Sequence, residues 1–230
     1  TPERVLAQVH VLYDALKSGN FLGGRYLIYN DIRGEEFINR LTNGVTGLQT
    51  WNHTLSSSTN EVQNLWVAIY AAVNRINVFL KGLNDNKDKI DPNLFKQYTA
   101  EAKFMRALCY YDLLTLYARP YADGNGSKPG MPLRMQAETT TANNDLARSS
   151  VQTTYDVILA DLNAAEADLP SSYSSSALNV TRAHKNTAIA LKTRILLSMG
   201  RYSDVVNEAS KIVSGSAPYQ APNGVAHKLE

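Results

Sequence analysis

The chain has 230 residues, of which 44% are hydrophobic and 19% are charged, the balance of an ordinary globular protein. A net charge of +2, with no cluster of lysine and arginine, argues against a nucleic-acid partner. No run of about 18 apolar residues is present, so no membrane span is predicted. The single cysteine, Cys109, excludes an internal disulfide, and its apolar neighbours predict a buried, unreactive thiol.

Six amphipathic helices are predicted from the spacing of apolar residues and from start and stop signals. They cover residues 3–18, 59–81, 92–118, 150–169, 182–199 and 203–213. The third helix contains "EAKFMRALCYYDLLTLYARPY" and is apolar on two faces, which predicts packing between neighbouring helices. The fourth carries Asp161, Glu166 and Asp168, which we interpret as its solvated face.

Local signals predict how three of these helices begin. Asp91 followed by Pro92 is typical of a helix cap and first turn. Two Ser-x-x-Glu/Gln patterns predict capping boxes, and they are Ser58 with Glu61 and Ser149 with Gln152.

Three long connections separate the helices, at residues 20–57, 119–148 and 170–180. Long irregular segments in a compact domain are usually functional or disordered. Within the first, "RYLIYNDI" has some β character, but one short strand makes no sheet. The stretch "SSYSSSALN" in the third predicts a flexible surface loop.

The last two helices have the residue spacing of a tetratricopeptide unit. Gly200 would permit a tight turn, Tyr202 would pack across it, and the small residues Val205 and Ala209 would let the two helices approach closely. On the last helix, Val206 and Ala209 would face inward. The sequence therefore predicts an all-α fold, a tetratricopeptide-like scaffold of helix pairs with long irregular loops. A generic antiparallel helix bundle is the alternative.

Motifs for catalysis or metal binding are absent from the sequence. The four histidines are scattered, and neither H-E-x-x-H nor C-x-x-C occurs. The glycine-rich "DGNGSKPG" follows a helix and lacks the order of a phosphate-binding loop. Lysines interrupt the aspartates of "DNKDKID", unlike a calcium loop. We therefore expect no metal, no cofactor and no enzymatic activity.

The connection at 20–57 is the best candidate for ligand binding. Aromatic residues stand there among polar ones: Tyr26, Tyr29 and Trp51 with Asn30, Asp31, Arg33, Asn39, Asn43, Gln49 and Asn52. Flat aromatic faces beside amide and charged groups suit sugar rings, which have apolar faces and hydroxyl edges. The alternative is that these aromatic side chains only pack the loop onto the helices.

Four segments, in order, resemble one protein family. "EAKFMRALCYYDLLTLYARPY", "PGMPLRM", "YDVILADLNAAEADLP" and "TRAHKNTAIALKTRILLSMGRYSDVVNEASKIV" are similar to motifs of the SusD/RagB-like nutrient-binding proteins of Bacteroidetes outer membranes. The resemblance covers residues 60–215 well and the first 60 residues loosely. In the third helix, it implies a purely structural role for Glu101, Phe104, Arg106, Tyr110 and Tyr111.

The resemblance implies a tetratricopeptide-like lipoprotein of the outer membrane and cell surface. Such a protein binds glycans without cleaving them and works with a TonB-dependent outer-membrane transporter. A peptide-binding tetratricopeptide scaffold is the alternative function. In the starch-binding member, an aromatic residue and an asparagine in the early loop grip sugar. That implies Trp51 and Asn52 as ligand-binding residues here, beside Tyr29, Asp31 and Arg33 from the same connection.

The family's members are longer than this chain. We therefore expect residues 1–228 to be an N-terminal helical domain of a longer protein, whose C-terminal portion also contributes to the ligand site. The anchor cysteine would precede Thr1, so membrane association would occur only through a lipid upstream of this fragment. Leu229 and Glu230 resemble a cloning scar.

Overall fold

A computed structural model describes residues 2–34, 40, 47–142 and 145–213. The described residues are helical or irregular and contain no β-strand. The chain divides into two compact units, one of Thr1–Gly82 with Arg134–Ala142, the other of Leu83–Leu133 with Asn143–Glu230. The predicted all-α class is confirmed. No helix among the described residues has both the length and the apolar character needed to cross a membrane.

The first unit is formed by α1 (Pro2–Leu16), α2 (Arg25–Arg33), α3 (Leu48–Trp51) and α4 (Asn60–Asp85), which belongs to it as far as Gly82. Apolar residues three and four apart on α1 and α4 face inward, as an amphipathic helix requires. The buried core includes Val9, Leu12, Phe21, Leu65, Ile69, Val73 and Ile76.

The irregular segment 134–142 is held to α4 by two asparagines. The Asn77 side chain donates to the carbonyls of Arg134 and Gln136, at 2.8 and 3.2 Å. Asn74 donates to the Glu138 carbonyl at 2.9 Å and accepts from the Glu138 N–H at 2.8 Å. These bonds satisfy backbone groups that have no secondary structure to pair with.

The second unit contains a 3₁₀ turn (Lys87–Lys89), α5 (Pro92–Tyr117), α6 (Val151–Asp168), α7 (Ser176–Thr181), α8 (Lys185–Ser198) and α9 (Tyr202–Ala209). Helix α5 packs on α6, α6 on α8, and α8 on α9. Successive packing of neighbouring helices is the arrangement of tetratricopeptide-like proteins, as predicted.

Charged and polar groups join the helices of the second unit. The Arg106 guanidinium binds the Asp161 carboxylate through two bonds of 2.7 and 2.9 Å, and both side chains are buried. Glu101 on α5, fully buried, pairs with Arg182 just after α7. The interpretation of Asp161 as part of a solvated face is therefore wrong, because its carboxylate is the counterion of an arginine from another helix.

Two segments predicted to be irregular are helical. Residues of "RYLIYNDI" form α2, because burying Tyr29 and Ile32 three apart matches a helix and not a strand. The supposed flexible loop "SSYSSSALN" contains the start of α7, where Ser175 accepts a bond from the Leu178 N–H. The connection at 119–148 contains no helix among its described residues.

The predicted helix starts had mixed outcomes. Asp91 caps α5 as expected, accepting from the N–H groups of Asn93 and Leu94. The box of Ser149 with Gln152 is wrong, because the cap of α6 is Ser150, whose hydroxyl accepts from the Thr153 N–H. The box of Ser58 with Glu61 is wrong, because α4 begins at Asn60 and the Glu61 carboxylate binds Thr50 instead.

The turn between α8 and α9 confirms part of the tetratricopeptide pattern. Gly200 has a φ of +70°, a conformation that favours glycine. Tyr202 does not pack across the turn, since it is 68% exposed, and Val206 is exposed too, at 64%. The turn instead buries Ile195, Leu196 and Met199 of α8.

Candidate functional site

Helix α2 presents a buried face and a polar face. Tyr29 and Ile32 are buried, and the Arg25 guanidinium donates to the Tyr29 hydroxyl at 2.9 Å. Asp31 is exposed and Arg33 is half-buried. The aromatic ring of Tyr29 thus belongs to the interior of the first unit, whereas the two charged residues lie at its surface.

Gly47 lets α3 pack closely on the buried face of α2. Its φ is +71°, and a Cβ at this position would lie 3.0 Å from Ile32 Cδ1 and 3.5 Å from Tyr29 Cε1. Any other residue would combine an unfavourable backbone conformation with a crowded contact. The glycine therefore brings α3, which carries Trp51, against the helix that carries Asp31 and Arg33.

The first turn of α3 is bound by a carboxylate from α4. The Thr50 N–H donates to Glu61 Oε2 at 3.1 Å, and the Thr50 hydroxyl donates to the same oxygen. Because Gly47 has no side chain, it cannot cap this helix itself. Glu61 supplies the acceptor that an ordinary cap residue would provide.

The end of α3 is closed by His53 in the left-handed conformation, with a φ of +54°. The His53 N–H donates to the Thr50 carbonyl at 3.3 Å, and the Thr54 N–H donates to the Gln49 carbonyl at 3.0 Å. This pair of bonds is the Schellman arrangement, in which glycine is the usual left-handed residue. Histidine is among the residues that tolerate it better than most.

Trp51 and Asn52 stand at the surface of this closed turn. Trp51 is 38% exposed although tryptophan is usually more buried, and Asn52 is exposed. The two residues lie between the bond to Glu61 and the left-handed His53. The short helix therefore holds an apolar ring and an amide side by side at the surface.

The other candidates of the connection are divided between interior and surface. Tyr26 is half-buried and meets Phe21 edge to face at 6.0 Å, while the Asn30 amide donates to the Tyr26 carbonyl. Gln49 is exposed, and Asn39 and Asn43 lie outside the described residues. Packing thus accounts for Tyr26 and Tyr29 but not for the exposed area of Trp51.

Sequence reasoning missed three residues that shape this site, namely Thr50, His53 and Glu61. A threonine within a four-residue helix and a glutamate eleven residues later give no recognisable sequence pattern. His53 directly follows Trp51 and Asn52. Its left-handed backbone could not be predicted, because glycine, the usual residue at such a helix end, is absent there.

The site offers stacking and hydrogen bonding. Trp51 supplies an apolar ring, while Asn52, Asp31 and Arg33 supply donors and acceptors of both charges. Among the described ranges, histidine, cysteine and acidic side chains form no group of three or more that could hold a metal ion.

Comparison with known proteins shows the family to which the chain is related. The family described as "Starch-binding associating with outer membrane" matches residues 3–197. Two SusD-like proteins of Formosa agariphila are 26% and 27% identical over 89% and 73% of this chain. The chain spans only 38% and 30% of the length of these relatives.

Solved structures share the fold. A SusD superfamily protein from Bacteroides fragilis is 34% identical, with a TM-score of 0.84 over 91% of this chain and 49% of that protein. Another from Bacteroides thetaiotaomicron is 21% identical, with a TM-score of 0.81 over 92% of this chain and 45% of that protein. A laminarin binding SusD-like protein is 20% identical, with a TM-score of 0.72 over 91% of this chain and 42% of that protein. The chain belongs to the SusD-like family.

Proposed function

We propose that this protein binds a glycan at the bacterial cell surface and does not cleave it. The observation that carries the proposal is the exposed ring of Trp51, held beside Asn52 on a helix closed at both ends. An exposed tryptophan on rigid backbone loses little conformational entropy when it binds, because its side chain has only two rotatable bonds.

The chemistry of the surface suits a sugar. The apolar face of a pyranose ring can stack on the indole of Trp51, and its hydroxyls can bond to Asn52, Asp31 and Arg33. We assign Tyr29 a place beneath these residues, because it is buried and packs near Gly47. Tyr29 would contact a ligand only if α3 moved away from it.

Family membership supports a glycan as the ligand class. The family's description names starch, and one relative of the same fold is described as laminarin binding. Soluble starch and laminarin are therefore the first probes to use.

We further propose that the protein acts with a TonB-dependent transporter at the outer membrane. A lipid attached upstream of this chain would hold it there, and residues 1–228 would form the N-terminal helical part of the longer protein. Leu229 and Glu230 lie outside the described residues. Co-purification of the full-length protein with the transporter would test the partnership, and separation of the two in mild detergent would contradict it.

Binding can be tested by affinity electrophoresis of the 230-residue chain in gels containing starch or laminarin. We expect retardation, and loss of at least about tenfold in affinity for Trp51→Ala. Trp66→Phe is the matched control, since Trp66 lies on α4 and packs against Tyr70 at 4.7 Å. An equal loss of glycan affinity in both variants would contradict the assignment of Trp51 as a ligand-binding residue.

The same samples distinguish the competing functions. Release of reducing sugar from either glycan, absent in a heat-inactivated sample, would show an enzyme and contradict a purely binding role. A peptide-binding scaffold would migrate unretarded in both gels and would retain peptides from a random library instead.

A further inference from the structure

We propose that Glu61 is a positioning residue that holds Trp51 in the orientation that receives the ligand. This inference rests on the proposed function, because it concerns the same surface. Glu61 itself is part-buried on α4 and need not touch a sugar. It acts through Thr50, the residue that directly precedes Trp51.

A four-residue helix does not persist on its own backbone bonds. Helix nucleation is unfavourable, and isolated helices of less than about 12 residues are marginal in water. Helix α3 has two bonds of the α-helical type, from the Trp51 N–H to the Gly47 carbonyl and from the Asn52 N–H to the Leu48 carbonyl, both at 2.9 Å. It therefore depends on partners outside itself to stay formed.

Glu61 is the partner best placed to supply this support. It lies in the first turn of α4, a helix of 26 residues whose inward face is buried, so its backbone is firmly placed. One carboxylate oxygen accepts both the N–H and the hydroxyl of Thr50, whose side chain is fully buried. Hydrogen bonds to a charged group are stronger than those between neutral groups.

Losing the carboxylate would leave two buried donors of Thr50 without an acceptor. Buried polar groups without a partner are costly, so the turn would open toward water to satisfy them. Because the Thr50 backbone leads directly into Trp51, such opening would release the indole from its place beside Asn52. The contact thus couples α4 to the orientation of the proposed binding surface.

The test uses Trp66→Phe as the parent, so that Trp51 is the only tryptophan in the chain. Glu61→Ala, Glu61→Gln and Asn64→Ala are compared in it. Asn64 is the matched control because it is exposed one turn further along α4. Three quantities are measured: acrylamide quenching of Trp51 without ligand, affinity for starch and laminarin, and the urea midpoint of unfolding.

We expect Glu61→Ala to increase quenching and to weaken glycan affinity about tenfold. Glu61→Gln should restore most of the quenching protection and of the affinity, because its amide oxygen can accept both Thr50 bonds in place of Oε2. Asn64→Ala should match the parent. Unchanged quenching and affinity in Glu61→Ala would overturn the inference, as would failure of the glutamine to restore either.

Failure of the inference can be separated from failure of the proposed function. If the full-length protein binds neither glycan, the proposed function falls, while quenching in the 230-residue parent still decides whether Glu61 orders Trp51. If Glu61→Ala does not fold, Thr50→Val decides instead, because it removes only the hydroxyl bond and keeps the shape of the side chain. Increased quenching in Thr50→Val would support the inference, and parental quenching would overturn it.

Discussion

The second unit and the α2–α3 surface use charged groups in opposite ways. In the second unit, Arg106 and Glu101 are buried and paired with residues from distant parts of the chain, Asp161 and Arg182. On α2 and the end of α3, Asp31 and Asn52 are exposed, and so is part of Trp51. The neighbouring Glu61 of α4, by contrast, is committed to an internal contact with Thr50.

This difference shows where each region can tolerate change. Buried charges that are paired within a scaffold cannot also serve a ligand, and losing one partner leaves the other uncompensated. Exposed polar groups contribute little to folding and remain available for binding. Substitutions should therefore affect stability in one region and affinity in the other.

The largest effect is expected for Asp161→Ala in the second unit. The change leaves the Arg106 guanidinium buried without its counterion and should lower the free energy of unfolding by about 3–5 kcal/mol. Urea denaturation measures this. The double variant Arg106→Met/Asp161→Leu is the control and should be less destabilised than Asp161→Ala; an equal or greater loss would contradict the argument.

The next effect concerns the backbone of the candidate site. His53→Val should destabilise the turn by about 1–2 kcal/mol, because a β-branched residue is disfavoured in the left-handed conformation. His53→Gly should be neutral or stabilising. Urea denaturation, with amide hydrogen exchange over residues 48–54, would check both, and faster exchange in the glycine variant would contradict the assigned conformation.

A smaller effect should appear in affinity alone. Asn52→Ala removes an exposed amide and should weaken binding of starch or laminarin about fivefold, the value of one hydrogen bond. The urea midpoint should stay at that of the unsubstituted chain. Asn64→Ala, exposed on α4, is the control. A fall in stability without a fall in affinity would place Asn52 with the scaffold residues.

The smallest effect is a pH dependence in the second unit. Burial raises the pKa of Glu166, but hydrogen bonds from Lys192 and Lys211 outweigh it and hold the pKa below the usual 4.5. The carboxylate therefore contributes stability above that value, and the contribution is lost as the pH falls through the lowered pKa. Unfolding of the unsubstituted chain and of Glu166→Gln, compared at neutral and acidic pH, should converge in acid. A stability difference between the two proteins that stays the same at both pH values would contradict the lowered pKa of Glu166.

Much of the scaffold could be predicted because its signals are local. The six predicted helices are present, and Asp91 caps α5 through its own neighbours in sequence. The apolar spacing of α5 indicated burial on two faces, and Cys109, Tyr110 and Leu113 are fully buried. Such features need only the periodicity of one helix.

The errors occurred where a distant residue decides the outcome. Asp161 was interpreted as solvated because its own helix gives no sign of Arg106, which lies 55 residues earlier. The sequence predicts Glu61 as part of the cap of its own helix, but its carboxylate binds Thr50, eleven residues earlier in the chain. Trp51 and Asn52 could be selected as a candidate pair, whereas the turn that holds them could not.

The sequence by itself therefore determined the helical class, the family and the inward faces of the long helices, because these follow from residue spacing along one chain segment. Only the tertiary structure decided that Tyr29 is buried, that Trp51 is exposed and that the Glu61 carboxylate binds Thr50 of α3. Burial and long-range hydrogen bonds depend on which segments contact each other in space. The spacing of residues within one helix does not indicate those contacts.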